Sequence, residues 1–179
     1  MSEDAWFYAG LVSSFRDITE SAATSNGKLK ITNTTSNSDE RIGLAPCRIF
    51  ESSKALSKPC ELSTEDSLGS IGLNEQILVF RYRGKFHAID HKCPHRSYAL
   101  SRGTMHDIED FGIVLSAGIT CPKHGWSFDI HTGESDRNPY QLPIHETQIR
   151  KRRKASELAN QSADTSDVDE VWVRRRTSR

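Results

Sequence analysis

Nowhere does this sequence run apolar for the roughly 20 residues that a helix needs to cross a bilayer. Its start, Met1-Ser2-Glu3-Asp4, has neither the basic residues nor the apolar core of a secretory signal. A soluble, cytoplasmic protein with no membrane span is therefore expected. Net charge is missing too. The 24 Lys and Arg balance 24 Asp and Glu, so the chain-wide field gives no reason to expect nucleic acid or an anionic membrane as the main partner. Heptads, long amphipathic helices and internal repeats are also absent, which excludes coiled coils and solenoids. Cysteine is scarce, with only Cys47, Cys60, Cys93 and Cys121 among 179 residues. Four would suit two disulfides in a secreted protein, but thiols stay free in a reducing compartment.

What is present is enough for one domain. With 35% hydrophobic residues, a chain of this length builds one core and leaves little room for a second. Trp6 to Val12 is aromatic and β-prone and reads as a first strand at a sheet edge, followed by a short segment from Ser13 to Ile18. Ser21 to Glu40 is Ser, Thr, Asn and Gly with almost nothing to bury, so 21–40 is expected as a flexible loop. Ala45 to Glu51 supplies a short strand, and Ser52 to Ser70 a second polar stretch. Ile77 to Tyr82 and Phe86 to Asp90, separated by Arg83-Gly84-Lys85, read as an antiparallel hairpin. Ser101 to Asp110 reads as a polar, acidic loop. Phe111 to Leu115 and Ile119-Thr120 read as two strands around the turn Ser116-Ala117-Gly118. Trp126 to Ile130 follows as a strand closed by the turn Thr132-Gly133. Ile144 to Arg150 and Val171 to Val173 are expected to pair across the polar stretch 155–169, itself expected to be flexible. The fold class is mainly β, with short strands and long polar insertions.

Two strands end in residues that bind metals. Cys93 and His95 lie in C-P-H-R-S-Y-A-L, and Cys121 and His124 in C-P-K-H-G-W-S-F-D. Each half contributes one thiolate and one imidazole, a set that suits zinc or iron. Zinc fingers of the Cys2His2 kind pair C-x-x-C with H-x-x-x-H, so their halves are homogeneous. Here each half is mixed. A structural zinc module remains an alternative on these residues alone.

C-x-H followed by C-x-x-H-G resembles the signature of the Rieske [2Fe-2S] family. The likeness extends to Pro94, Leu100, Pro122, Gly125, Trp126, Phe128, Asp129, Thr132 and Gly133, and by order of strands spans Trp6 to Val173. In that family two histidines replace two cysteines on one of the two irons. The resemblance implies one [2Fe-2S] cluster per chain, with Cys93 and Cys121 on the iron that stays ferric and His95 and His124 on the iron that changes valence. It implies an antiparallel β-sandwich or barrel forming a single Rieske domain over 1–179. The body runs from about residue 5 to 150 with a terminal strand at 170–175, and the two ligand loops form a cluster-binding subdomain at 91–130. Gly125 would let backbone approach the cluster, and Pro94 and Pro122 would stiffen the loops.

Departures from the family place the chain within it. The high-potential branch carries an extra cysteine in each loop, joined by a disulfide, where this sequence has Tyr98 and Lys123. It also carries a serine and a tyrosine that donate hydroxyl hydrogen bonds to the cluster, where this sequence has Trp126 and Phe128. Fewer donors leave a reduced cluster less stabilised, so the potential is expected toward the low end of a range of roughly −150 to +300 mV. The resemblance is to the ferredoxin and oxygenase branch, although the twenty-five residues between His95 and Cys121 form a long interval, with Met105 to Asp110 as the expected insertion. It implies a one-electron carrier between a reductase and an acceptor. The alternative is an electron-transfer subunit of an oxygenase or nitrite-reductase-like complex. The mononuclear iron domain of an oxygenase does not fit in this length. Nothing in the sequence identifies a catalytic residue. His91 competes with His95 on spacing, but the family register selects His95. His87, His106, His131 and His145 are expected at the surface or in loops. Cys47 and Cys60 are read as a buried and a loop cysteine without special chemistry. Arg96 and Lys123 flank the ligands, facing either a partner or solvent, and the basic run 150–154 is read as a solvated strand end.

Overall fold

The computed structural model describes residues 6–19, 47–51, 60–63, 72–137, 139–152 and 168–176. Among the described residues, ten strands make two antiparallel sheets. The strands are β1 (Trp6–Leu11), β2 (Cys47–Glu51), β3 (Cys60–Leu62), β4 (Gln76–Tyr82), β5 (Lys85–Asp90), β6 (Thr104–Asp110), β7 (Ile113–Thr120), β8 (Ser127–Asp129), β9 (Ile144–Arg152) and β10 (Val168–Arg174). The seven-stranded sheet runs β1-β10-β9-β5-β4-β2-β3, and the three-stranded sheet β6-β7-β8. β1 lies at a sheet edge, and β9 and β10 pair, as the sequence predicts. The expected loops 21–40 and 155–169 lie outside the described residues.

β4 shows why the hairpin is so legible. Ile77 and Val79 point into one apolar cluster, with Phe7, Ala9, Phe50, Phe86, Ala88, Val171 and Val173. Leu78, Phe80 and Tyr82 point into another, with Ile89, Leu100, Met105, Ile119, Phe128, Ile130 and Leu142. A strand buried on both faces reads as an unbroken apolar run because its side chains alternate between two cores. The second cluster includes Cys93 and Cys121, so the ligand loops stand directly on the core. The β4–β5 turn is the two residues Arg83 (φ 48°) and Gly84 (φ 76°), both left-handed as a tight hairpin requires. Asp17 stabilises it by accepting from the backbone N–H groups of Arg83 and Gly84.

Several expectations are corrected. The acidic stretch Ser101 to Asp110 is not a loop, because Thr104–Asp110 is β6. The segments 111–115 and 119–120 are not two strands, because Ile113–Thr120 is one, β7. The turn lies at Phe111 (φ 47°) and Gly112 (φ 77°) instead of at 116–118. Acidic residues mask β6 because they are depleted in strands; here Asp107 is held by Arg83 and accepts the Tyr82 hydroxyl at 2.8 Å. Gly118 lies within a strand because the His106 ring crosses it, and a Cβ there would sit 2.5 Å from His106 Nε2. The cross-strand pair His106–Gly118, rather than a turn, explains that glycine. Cys60 lies in β3, not in a loop, and Cys47 is partly buried rather than fully buried. The basic run is strand through Arg152, with Arg150 stacked between Trp172 (4.5 Å) and Trp6 (5.1 Å).

His87 and His145 are buried rather than at the surface. His145 Nε2 pairs with Asp90 Oδ1 at 2.8 Å. His87 stacks on Phe80 and meets the edge of His131 at 5.0 Å. Burial, helped by repulsion from His131, lowers His87 to about 4. Between that value and the ordinary 6.5 the unfolded chain binds a proton that the folded one refuses, so stability is full above pH 6.5 and is lost as pH falls toward 4. Chemical denaturation across that window should show the decline, and His87→Gln should remove a pH-dependent part of at most about 3 kcal/mol. An unchanged slope in the variant would contradict the assignment.

Candidate metal centre

β5 ends at Asp90, three residues before Cys93, and β7 at Thr120, directly before Cys121. The two loops that follow close in the same way. In the first, Cys93 N–H donates to Tyr98 O (2.8 Å) and Ser97 N–H to Cys93 O (2.8 Å). In the second, Cys121 N–H donates to Trp126 O (2.8 Å) and Gly125 N–H to Cys121 O (2.9 Å). The fourth residue after each cysteine is left-handed, Ser97 at φ 51° and Gly125 at φ 70°. A Cβ on Gly125 would meet nothing within 4 Å, so within the protein the requirement there is conformational. Gly103 brings the loops together. A Cβ there would lie 2.8 Å from Thr120 O and 2.9 Å from Leu100 O, so the segment after the first loop packs directly on the strand end that feeds the second.

The loops bring the four predicted residues into two pairs. Cys93 and Cys121 are each 1% exposed, are not disulfide-bonded, and belong to one apolar cluster. Each thiol acts on the other, lowering Cys93 and raising Cys121. The His95 and His124 rings lie 4.9 Å apart at 72°. Among the described residues, no three His, Cys, Asp or Glu side chains converge as they would around one ion. The imidazoles differ in setting. His124 is exposed. His95 is enclosed by Trp126 (4.6 Å between rings) and Tyr140 (5.3 Å), and its Nδ1 is buried without a hydrogen-bond partner among the described residues. A buried nitrogen with no partner costs about 1–3 kcal/mol unless something fills it. Desolvation, with the nearby His124, Arg96 and Arg137, holds His95 below its usual value.

His91 is already committed. It is fully buried, with Nδ1 2.7 Å from Gln76 Oε1 and Nε2 2.8 Å from Ser101 Oγ. Its backbone also bonds to Gln76 and Leu100, so it anchors the stem of the first loop. Burial lowers it to about 4 and keeps it neutral. Cys47 packs against the core, and burial raises its thiol to about 12. Sequence reasoning missed the roles of Tyr140, Gln76 and Ser101. Each is brought to the site by tertiary packing, and a Tyr, Gln or Ser in a polar segment carries no signal of it.

The matched hairpin-like loops make a testable contrast. Gly125→Ala should cost about 1–2 kcal/mol from backbone strain alone, whereas Ser97→Gly should be neutral or stabilising, because both positions are left-handed. Gly103→Ala should be worse than either strain alone, at about 1–3 kcal/mol, since it overpacks against two carbonyls. Urea denaturation of the three variants checks the order.

Comparison with known proteins agrees with this geometry. A family model of the Rieske [2Fe-2S] domain matches residues 53–148, more than half of the chain. The chain is 36% identical over 76 residues to apoptosis-inducing factor 3 of Homo sapiens, covering 42% of this chain and 11% of that protein. It is 36% identical over 59 residues to the ferredoxin component of the alkene monooxygenase system of Xanthobacter autotrophicus, covering 33% of this chain and 42% of that one. It is 34% identical over 68 residues to the 3-phenylpropionate/cinnamic acid dioxygenase ferredoxin subunit of Photorhabdus laumondii, covering 38% and 57%. In each case the match spans less than two thirds of the relative's length. Two ligand loops of one design, standing on the core of a mainly β fold, together with this match over more than half of its length, establish that the chain belongs to the Rieske [2Fe-2S] domain family.

Proposed function

We infer that the protein carries single electrons on one [2Fe-2S] cluster per chain, with Cys93 and Cys121 on one iron and His95 and His124 on the other. The family implies the cluster, and the residues fit it. The observation that carries the reading is the buried Nδ1 of His95, which has no hydrogen-bond partner among the described residues, on a ring 4.9 Å from that of His124 and in a pair of loops whose cysteines are both buried. A single zinc ion is poorly served, since the four side chains separate by element into a sulfur pair and a nitrogen pair instead of converging. The cluster, when bound, supplies reversible one-electron exchange. This chain's own residues would keep water from its sulfur end, through the core around Cys93 and Cys121, while His124 lies at the surface. The partners are a reductase and an acceptor. That two relatives are named as a ferredoxin component and a ferredoxin subunit supports the carrier reading and keeps service to an oxygenase as the second. Trp126 and Phe128, the first tilted against the His95 ring at 31° and the second fully buried, offer no hydroxyl to the cluster, which supports a low potential.

Protein reconstituted with iron and sulfide, or purified aerobically, should be brown-red, hold about two irons and two acid-labile sulfides per chain, and give a rhombic paramagnetic signal on reduction. Cys121→Ser and His124→Ala should each abolish that signal. His91→Ala should keep it while costing about 1–3 kcal/mol in stability, since Gln76 and Ser101 lose a buried partner. A colourless protein holding one zinc would overturn the reading.

A further inference from the structure

Charge around the metal centre is one-sided although the chain as a whole is neutral. The two ligand loops and their flanks carry Arg96, Arg102, Lys123 and Arg137, all exposed. These cations are held largely by aromatic groups. Lys123 Nζ lies 5.6 Å from the Tyr98 ring, Arg102 Nη1 donates to the Tyr98 hydroxyl at 3.4 Å, and the Arg137 guanidinium lies 5.5 Å from Trp126. Arg137 also donates to Gly125 O at 3.4 Å and faces Asp136 at 3.5 Å. Asp136 is the one carboxylate paired with this set among the described residues. Three nearby carboxylates are engaged elsewhere: Asp90 with His145, Asp107 with Arg83, and Asp129 with the backbone of His131 and Thr132.

The rim coincides with the route to the centre. Trp126 and Tyr140 cover the His95 ring, whereas His124 is exposed, with Lys123 as its chain neighbour. A partner that comes close enough to exchange an electron must therefore place its own surface against three or four cations. Like charge there would be repelled and negative charge attracted, and at low salt this steers encounter.

We propose that the exposed His124 edge, rimmed by Arg96, Arg102, Lys123 and Arg137, is the docking face for an acidic redox protein. This rests on the electron-carrier reading above and adds the chemistry of the partner. Tyr98 and Trp126 serve it by fixing the cations without neutralising them. Because total charge is zero, the sign preference belongs to this edge and not to the molecule as a whole.

The test uses small oxidants of opposite charge on the reduced full chain, in stopped flow: trisoxalatocobaltate(III), an anion, and hexaamminecobalt(III), a cation. From low to high salt the anion's rate should fall roughly tenfold, and the cation's rate should rise or stay level. Poly-L-glutamate, standing in for an acidic protein surface, should protect the chain from the anionic oxidant, and poly-L-lysine should not. The triple variant R96E/R102E/K123E should reverse the preference. Arg102→Glu alone, outside both ligand motifs, should weaken it. Arg150→Glu should leave it unchanged, because Arg150 is six residues along β9 from its ligand-side end, roughly 20 Å. Equal salt dependence for the two oxidants, or a preference that survives in the triple variant with its cluster signal intact, would overturn the docking proposal alone. Absence of any cluster signal in the unaltered chain would overturn the carrier reading beneath it.

Discussion

The centre depends on a short backbone motif used twice. A cysteine N–H reaches the carbonyl five residues on, and the N–H four residues on returns to the cysteine carbonyl, at 2.8–2.9 Å in both loops. This closure points the thiol inward and forces a left-handed residue, filled by Ser97 in one loop and Gly125 in the other. It also places the histidine two or three residues beyond each cysteine, near the outer end of the loop. The division into a buried sulfur pair and a separate imidazole pair thus follows from backbone geometry before any metal is considered. The rest of the fold serves to present these two loops to each other.

That presentation is made by packing. Cys93 and Cys121 are members of the same apolar cluster as Leu100, Met105, Ile119 and Phe128, so the sulfur end of the centre is also the top of the core. β5 carries the first loop from the large sheet and β7 the second from the small one. Between them, the close approach at Gly103 and the buried Gln76–His91–Ser101 bonds tie the first loop both to the second and to β4. Rigidity at the ligands favours electron transfer, since a site that hardly moves between oxidation states has little to reorganise. The outer end is built differently, from aromatic rings and cations. It shields His95 and leaves His124 in contact with solvent.

Much of this was legible in the sequence, for physical reasons. The four candidate ligands could be read because thiolate and imidazole at fixed short spacing have few other uses, and the structure brings those residues together in two pairs. The β4–β5 hairpin was legible because both of its faces are buried, and the β9–β10 pair because Ile144 to Arg150 alternates weakly and Val171-Trp172-Val173 is a short apolar, β-prone run. The β6–β7 hairpin was misread. Its first strand is acidic, Gly118 sits mid-strand beneath His106, and Phe111, 98% exposed at the tip, looks like a core residue in one dimension. His87 and His145, expected at the surface or in loops, were misread for a similar reason. Asp90 meets His145 in the core and the Phe80 ring meets His87, and those meetings are set by long-range packing.

The central claim is that His95 and His124, and no other histidines, complete the centre on one iron. Pulsed electron-nuclear double resonance on the reduced protein labelled with nitrogen-15 histidine reads this directly. The account predicts two strongly coupled histidine nitrogens, both retained in His91→Gln. No histidine coupling, a single one, or a coupling lost on replacing His91 would contradict it.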